Sequence, residues 1–554
     1  MHIHDEWFSS FRKTSEYKKF LEQPVAYFCM EYALFDHVHT YAGGLGVLSG
    51  DYLLEAVDQE FPIVAVGLYY QEDYISGEKV SDEAKTALTL TLDDSQKPVL
   101  VSIPIDGRTV YACAWRWHRG AVTAYFLDTD IPENDARDRK ITARLYTEDR
   151  EIRLKQEMVL GIGGFRFLRA VGVGARVYHL NEGHSIFLAW ELTHDEMLRH
   201  GVGFREAVEF AKTHILFTNH TLELAGQEQF LADIVLRIMS AYAEEIHIPA
   251  RDLLEFGLLE DKNLFSLTVA ALWLSKLSNG VSELHVRYAK ELWPDHYMNP
   301  VTNGIHIRRW DSLQVGSKEH MWTIHQENKK ALLSVIEKNT GQKWNKHTLL
   351  LGWARRFVPY KQPLSLVEDV ERLKRVATAK GKEIRIVFSG PLGKGNPERN
   401  RYLEKFQELS ERELKGLVVF LPHYSLTLSG FMVSGCDVWA NTPIIGKEAC
   451  GTSGMKAALN GVLPLTTNDG WVPEVNLDGI GWLVDNNKTN ESIYNILESE
   501  VTPEYYTHLD NHARGNWLER MIKARNMILP QFSATRALRE YVEKYYLRIF
   551  NAKH

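Results

Sequence analysis

The sequence predicts an α/β protein with two doubly wound, parallel-sheet domains. Short apolar runs alternate with amphipathic segments along the chain, as they do where strands and helices alternate. This alternation starts afresh after Trp310, so one sheet is expected on each side of that residue. A length of 554 residues is enough for two large domains, each with its own apolar core.

In the first half, four apolar runs are predicted as buried strands: Val25–Met30, Pro62–Gly67, Val99–Ile103 and Val177–Leu180. Two longer stretches, Arg153–Val171 and Leu264–Leu277, are predicted as helices. Strand, helix and strand at this spacing indicate right-handed crossovers between parallel strands.

The predicted strands after Trp310 are Leu349–Ala354, Ile384–Ser389, Leu417–Leu421, Val438–Asn441, Val462–Thr466 and Gly481–Val484. A helix is predicted after the first of them, with Pro363 in its first turn and apolar residues every third position up to Val376. A final helix is predicted over Ser533–Phe550, with Ser533 as its N-cap. The expected domain bounds are 1–308 for an N-terminal α/β domain, 309–530 for a C-terminal α/β domain and 531–554 for the C-terminal helix.

The composition excludes several classes of protein. Hydrophobic residues make up 45% and charged residues 25%, which argues against a disordered chain, a collagen and a coiled coil. The 64 Lys and Arg residues against 72 Asp and Glu give a net charge of −8, which argues against nucleic acid as a partner. No apolar run is long enough to span a membrane, and the N-terminal segment lacks the apolar core of a signal peptide. A cytoplasmic protein with no membrane partner is therefore expected.

The cysteine and histidine spacings predict neither a disulfide framework nor a metal site. The four cysteines are too few for such a framework, and none is spaced as Cys-x-x-Cys.

One run of residues carries a chemical pattern. Glu448-Ala-Cys-Gly-Thr-Ser-Gly-Met-Lys456 follows an apolar strand and leads into a short helix that Asn460-Gly461 can end. Glycines and hydroxyls before a helix start expose backbone N–H groups, and the helix dipole favours a bound anion. Lys456 could neutralise a phosphate or bond covalently to a carbonyl compound. From the residues alone, a glycine-rich helix cap without a ligand is an equally good interpretation.

The same run, extended through Leu459-Asn460, resembles the pyridoxal-phosphate site of the α-glucan phosphorylases, the family of glycogen, starch and maltodextrin phosphorylases. The similarity extends over roughly residues 24–485, in the family's order, and is to the compact prokaryotic members. The other similar segments are Tyr41–Gly46 (a glycine loop), Arg153–Glu157, Leu180–His184, Thr218–Thr221, Asn279–Val281, Thr302–Gly304 and Arg355–Lys361 (a basic motif).

This resemblance implies the GT-B fold, in which two Rossmann-like domains have the active-site cleft between them. It implies a glycosyltransferase that reversibly phosphorolyses glycogen or maltodextrin to α-D-glucose 1-phosphate, with retention of configuration. The implied cofactor is pyridoxal 5′-phosphate, whose phosphate group serves that family as the proton relay. The implied partners are α-1,4-glucan, inorganic phosphate and glucose 1-phosphate. The sequence leaves open the oligomeric state (a homo-oligomer included), the preferred glucan length and any allosteric effector.

Matched position by position, the resemblance implies two groups of site residues. Those implied to bind the cofactor are Lys456, which would hold it, and Arg355, Thr452, Gly451, Ser453, Gly44 and Tyr424. Those implied to act on phosphate and sugar are Arg356, Lys361, Glu448, His220, Asn303 and Tyr360. Within the second group, the two cations would hold substrate phosphate, together with the backbone of Gly44 from the first group. The other four would lie against the glucosyl unit.

The chain departs from longer family members at four positions. Ala33 stands where they have a Tyr, Ser425 and Gln362 where they have an Arg, and Pro391 where they have a Lys. These changes leave the phosphate chemistry intact and bear on cofactor affinity and glucan fit.

Other functions fit part of the pattern. A nucleotide-sugar glucosyltransferase of the same fold, similar to glycogen synthase, would need the same cations but no lysine tether. A non-catalytic glucan-binding relative would not need Lys456 and Glu448 intact. Composition does not exclude a two-carboxylate glycosidase, but the sequence singles out no carboxylate pair.

Overall fold

The computed structural model describes residues 5–38, 40–74, 77, 79, 86–222, 227–260, 263–314, 318–391, 397–510 and 516–552. The chain forms two compact units. The first comprises Met1–Val301 and Ala537–His554, and the second comprises Thr302–Arg536. The chain thus leaves the first unit before Thr302 and returns to it after Arg536.

The first unit is built on a largely parallel sheet. Its strands are β1 (Val25–Phe28), β2 (Ile63–Leu68), β3 (Thr89–Leu90), β4 (Val101–Ile105), β5 (Arg108–Arg119), β6 (Val122–Asp128), β7 (Tyr178–Asn181), β8 (Ile215–Thr218), β9 (Gln229–Leu231), β10 (Leu264–Ser266), β11 (Leu277–Gly280) and β12 (Met298–Pro300). The sheet order is β12-β11-β8-β7-β1-β2-β6-β5-β3, with β4 also beside β5 and with β9 and β10 paired separately. From β12 to β6 all neighbours are parallel, whereas β5 runs antiparallel to β6.

Both faces of this sheet are covered by apolar side chains. Ala26 and Phe28 belong to one buried cluster, whereas Val25 and Tyr27 belong to another. Because successive strand residues point to opposite faces, two clusters mean that β1 is buried on both sides. The α-helices of this unit are Glu6–Phe11, Ser15–Glu22, Gly44–Asp58, Arg150–Met158, Gly164–Ala170, Leu188–His200, Phe204–Lys212, Ala232–Glu245, Ala250–Leu254, Leu267–Trp273, Glu283–Leu292 and Leu547–Phe550.

The C-terminal segment packs into the core of the first unit. Leu538, Val542, Tyr545 and Ile549 are buried there, as their helical spacing predicts. The helix Ala534–Tyr541 continues through a π-turn into Leu547–Phe550, and the Ser533 hydroxyl accepts the backbone N–H of Arg536 at 3.2 Å. The final helix and its N-cap are therefore confirmed.

The second unit has a fully parallel sheet with one reversal of strand order. Its strands are β13 (Leu349–Ala354), β14 (Ile384–Ser389), β15 (Val418–Leu421), β16 (Val438–Asn441), β17 (Leu463–Thr466) and β18 (Trp482–Leu483). The order is β15-β14-β13-β16-β17-β18, and every neighbouring pair is parallel. The α-helices within it are Ile307–Trp310, Lys318–Thr340, Val370–Ala377, Pro397–Glu408, Leu426–Gly435, Ser453–Leu459, Thr489–Ile496, Thr502–Asp510 and Trp517–Gln531.

The α/β class and the predicted strands are confirmed, most of them with shifts of one or two residues at their ends. Two predicted helices are corrected. The helix after β13 starts at Val370, capped by the Asp369 side chain on the N–H of Arg372, so Pro363 lies in the preceding turns. The stretch Leu264–Leu277 holds β10 and the helix Leu267–Trp273 rather than one long helix. Among the described residues, no helix is both long and apolar enough to cross a bilayer.

A buried ionic network joins the amino ends of β13 and β16. Lys329 and Asp437 have no solvent exposure, and Lys329 Nζ lies 2.5 Å from Asp437 Oδ2. The same ammonium donates to the Thr348 carbonyl at 2.6 Å and to the Tyr505 hydroxyl at 2.8 Å. Asp437 Oδ2 also accepts the backbone N–H of Leu350 at 2.8 Å, and Asp437 Oδ1 lies 3.0 Å from His325 Nε2. Every charged atom of the pair therefore has partners, as buried charges require.

We expect Lys329→Met to destabilise the protein strongly, because it leaves the Asp437 carboxylate buried without its cation. Breaking a buried pair from one side costs about 3–5 kcal/mol. Urea unfolding, monitored by tryptophan fluorescence, measures the decrease in the free energy of unfolding. Lys374→Met, which removes the partner of exposed Glu371, is the control and should change little. Equal stability of the Lys329 variant and the wild type would contradict the prediction.

Candidate active site

The site residues of the second unit gather where its strand order reverses. β13 and β16 are neighbours in the sheet although two strands separate them along the chain. In open parallel sheets ligands bind beyond the carboxyl ends of the strands at such a reversal. Arg355 follows β13 directly, and the segment after β16 leads to Glu448. The topology therefore brings the basic motif and the glycine-rich run together.

A single carboxylate joins the two sequence motifs. Glu448 Oε2 accepts from Lys361 Nζ at 2.6 Å and from Arg355 Nη1 at 3.1 Å. These three side chains are buried to about nine-tenths, with exposures of 11%, 10% and 4% for Glu448, Lys361 and Arg355. Burial alone would raise the pKa of Glu448, but Arg355 and Lys361 outweigh it and lower this pKa to about 2. Glu448 is therefore charged at neutral pH.

Arg356 lies on the exposed side of the same cluster. Its side chain is in contact with solvent, and its charge also lowers the pKa of Glu448. Three cations thus surround one carboxylate, so the cluster carries a net positive charge that suits a further anion.

Because Gly451 has no side chain, the Arg355 and Glu448 side chains can lie directly against its backbone. A Cβ at this position would lie 2.8 Å from Arg355 Nη2 and 2.8 Å from Glu448 Oε1. The Arg355 Nε atom is buried, and no hydrogen-bond acceptor in the described chain is within reach of it. A buried guanidinium N–H beside a glycine is a donor suited to a phosphate oxygen.

Lys456 lies in the short helix Ser453–Leu459, which starts after Thr452 and ends at Asn460. It is 5% exposed, and its Nζ lies 4.3 Å from the ring centroid of Trp310. The Thr452 side chain makes no cap bond to this helix, whereas the Ser453 hydroxyl accepts from Trp439 Nε1 at 3.3 Å.

Three further predicted residues lie around these segments. Asn303 Nδ2 donates to the Cys450 carbonyl at 3.2 Å. The Tyr360 ring lies 5.0 Å from Lys361 Nζ, and the carbonyl of Tyr360 accepts the N–H of Ile444. Burial raises the pKa of Tyr424, and the nearby charge of Arg355 opposes that shift. The structure thus brings the predicted residues of this unit into one neighbourhood.

Gly44 and His220 belong to the first unit and are described there. Gly44 begins the helix Gly44–Asp58, and a Cβ on it would meet nothing within 4 Å. His220 Nε2 lies 2.7 Å from Asn181 Oδ1, and burial lowers the pKa of His220 to about 3. His220 is therefore neutral near pH 7.

Sequence reasoning missed three buried carboxylates that hold the loops carrying these residues. Glu31 accepts the N–H groups of Ala42 and Gly43 before Gly44. Glu182 accepts the N–H of His220 at 3.0 Å, and Asp469 accepts that of Glu448 at 3.0 Å. Each follows the carboxyl end of a predicted parallel strand, which is the one signal that the sequence offered.

The chain is similar to known proteins along nearly its full length. Residues 313–481 match the family model described as carbohydrate phosphorylase. The maltodextrin phosphorylase of Thermococcus litoralis is 33% identical over 99% of this chain and 72% of its own length. The glycogen phosphorylase of Aquifex aeolicus is 31% identical, over 97% and 88%. That of Mycobacterium tuberculosis is 29% identical, over 98% and 72%.

We expect Gly451→Ala to fold normally yet weaken anion binding. Its methyl group would displace the ends of the Arg355 and Glu448 side chains and separate this pair, while Lys361 can still neutralise Glu448. Gly454→Ala is the matched control, since its Cβ would lie at an ordinary 3.4 Å from Trp471. Titration calorimetry with inorganic phosphate should show weaker binding for the first variant only. Equal phosphate affinity in both variants would show that the space at Gly451 has no part in anion binding.

Proposed function

The chain belongs to the α-glucan phosphorylase family, and we propose that it catalyses the reversible phosphorolysis of an α-1,4-glucan such as glycogen or maltodextrin. The predicted GT-B fold class is confirmed with the family. The reaction transfers the non-reducing terminal glucosyl unit to inorganic phosphate and yields α-D-glucose 1-phosphate with retention. The C1–O4 bond breaks, a C1–O bond to phosphate forms, and the departing glucan oxygen gains a proton.

The observation that carries this proposal is the buried Glu448 carboxylate between Lys361 and Arg355. A phosphorylase must hold a phosphate dianion beside a sugar hydroxyl in the same small volume. The cations supply charge-assisted donors for the phosphate, and a permanently charged Glu448 supplies an acceptor for the hydroxyl. Lys361 and Arg356 are the proposed phosphate-binding cations.

The residues around Lys456 fit pyridoxal 5′-phosphate. The unpaired Arg355 Nε, on a guanidinium that lies against Gly451, suits an anionic group, and Thr452, Ser453 and the Gly44 backbone are further proposed contacts. Lys456 is the proposed point of attachment, and Tyr424 the proposed neighbour of the ring. When bound, this cofactor supplies a phosphate group whose second pKa near 6 lets it hold and return a proton.

The glucosyl unit is proposed to contact His220, Asn303 and Tyr360 besides Glu448. Because His220 is neutral at working pH and its Nε2 N–H is directed to Asn181 Oδ1, its Nδ1 can accept a hydrogen bond from a sugar hydroxyl without adding charge. The Asn303 amide can do the same. A cytoplasmic location and the partners glucan, phosphate and glucose 1-phosphate complete the proposal.

We expect Lys456 to carry pyridoxal phosphate in a covalent bond that borohydride can reduce. Reduction, digestion and mass spectrometry should place the added mass on the peptide that contains Lys456. An unreduced sample is the control, since the bond would hydrolyse during work-up. An adduct on another lysine would refute the attachment site. No adduct in protein expressed with the cofactor would favour a nucleotide-sugar glucosyltransferase instead.

We expect Arg356→Ala and Lys361→Ala to raise the Michaelis constant for phosphate and to lower turnover, with little change in the constant for maltodextrin. Each removes a charge-assisted hydrogen bond to the dianion. Arg356→Lys should not restore activity, because the lysine ammonium cannot form the two parallel hydrogen bonds of a planar guanidinium. Steady-state kinetics with each substrate varied in turn makes the measurement.

Arg372→Ala is the control for these variants, since Arg372 lies in the same unit but pairs with Glu498. It should leave both constants unchanged. A change confined to the maltodextrin constant would place Arg356 and Lys361 along the glucan path and overturn their assignment to phosphate.

A further inference from the structure

Asp469 holds the backbone of the segment that carries Glu448. It follows β17 and is 3% exposed. Its Oδ1 accepts the N–H of Gly446 and its Oδ2 the N–H of Glu448, both at 3.0 Å. One carboxylate from the neighbouring strand thus spans the turn just before the glycine-rich run.

The residues just before Gly446 have other partners, since the Ile444 N–H donates to the Tyr360 carbonyl and the Ile445 N–H to Asn486 Oδ1. Gly446 has φ +83°, a conformation that glycine adopts readily, so the turn forms there without backbone strain. Whereas the backbone N–H of Glu448 donates to Asp469, the Glu448 side chain contacts Lys361 and Arg355. At Gly446 and Glu448 the backbone is therefore held by Asp469, and the Glu448 side chain by the two cations.

A carboxylate in this position is costly to bury. Burial raises the pKa of Asp469, the N–H groups of Gly446 and Glu448 lower it, and the charge of Glu448 raises it again. The carboxylates of Asp469 and Glu448 are like charges close together. Such a pair is unfavourable unless hydrogen-bond donors surround each carboxylate. An asparagine would offer one acceptor oxygen and turn an N–H donor toward the other backbone N–H.

We propose that Asp469 is a positioning residue for phosphorolysis, which sets where the Glu448 carboxylate meets Lys361, Arg355 and the sugar. This inference rests on the proposed function of Glu448. Asp469 itself contacts neither phosphate nor glucan in this account. It acts only through the backbone of residues 446–448.

Asp128→Asn is a matched control for Asp469→Asn. Asp128 lies in the first unit, is also 3% exposed, and accepts the backbone N–H of Asp130 at 2.9 Å. Burial raises its pKa as it does that of Asp469. The two substitutions therefore remove equally exposed carboxylates that each accept a backbone N–H, although Asp128 also accepts from the side chains of Gln71 and Trp115. Thermal unfolding of both variants measures the stability that each loses.

Hydrogen exchange tests the anchor without any assay of activity. In the wild type the amides of Gly446 and Glu448 should exchange slowly. Mass spectrometry of peptides from residues 442–452 should show faster exchange in Asp469→Asn and unchanged exchange in Asp128→Asn. Unchanged exchange in Asp469→Asn would refute the anchor even if the wild type lacked phosphorolytic activity. Absence of that activity would refute only the proposed function.

A double-mutant cycle with Glu448→Gln tests whether Asp469 acts through Glu448. Asp469→Asn should lower kcat about tenfold to a hundredfold in the wild type. It should lower kcat less than about threefold in the Glu448→Gln background, because coupled residues are not additive. Asp128→Asn should have the same small effect in both backgrounds. Equal losses from Asp469→Asn in both backgrounds would overturn the proposal. If Asp469→Asn does not fold, Asp469→Glu takes its place in the same double-mutant cycle. This variant keeps the charge but displaces it by one methylene group.

Discussion

The second unit depends on one buried carboxylate that must remain charged. Glu448 is stable as an anion because Lys361 and Arg355 lie against it, and removing either would weaken the compensation of its buried charge. This constraint explains why position 451 has no side chain. Buried ion pairs lie at both ends of the strand pair β13 and β16. The Lys329 and Asp437 network joins their amino ends, and the Glu448 pairs join the segments beyond their carboxyl ends.

Much of the fold could be predicted because buried strands are short apolar runs with polar ends. Leu349–Ala354 is predicted with both ends correct for this reason. The helix at Pro363 is misplaced because apolar residues at every third position continue through the turns before the Asp369 cap. The stretch Leu264–Leu277 is misassigned because a short apolar run does not distinguish a strand from a helix. No local pattern shows that the chain after Arg536 returns to the first unit.

The site could be predicted in part. Lys361, Arg355 and Glu448 lie in motifs whose charge and glycine content indicate anion chemistry, and the sheet reversal brings them together. That Glu448 pairs with these cations could not be predicted, since 87 residues separate Lys361 from Glu448. Asp469 was missed because an aspartate that binds backbone N–H groups of a distant turn has no sequence signature.

The most direct test of this account follows the phosphorus atom. Phosphorus NMR of the wild-type protein with maltodextrin and inorganic phosphate should show phosphate converted to α-glucose 1-phosphate. Glu448→Gln, compared at a temperature where both proteins are folded, should convert phosphate about tenfold to a hundredfold more slowly, because it replaces a charged acceptor by a neutral one. A wild type that forms no glucose 1-phosphate in the presence of pyridoxal phosphate, or a Glu448→Gln variant that forms it at the wild-type rate, would contradict the account.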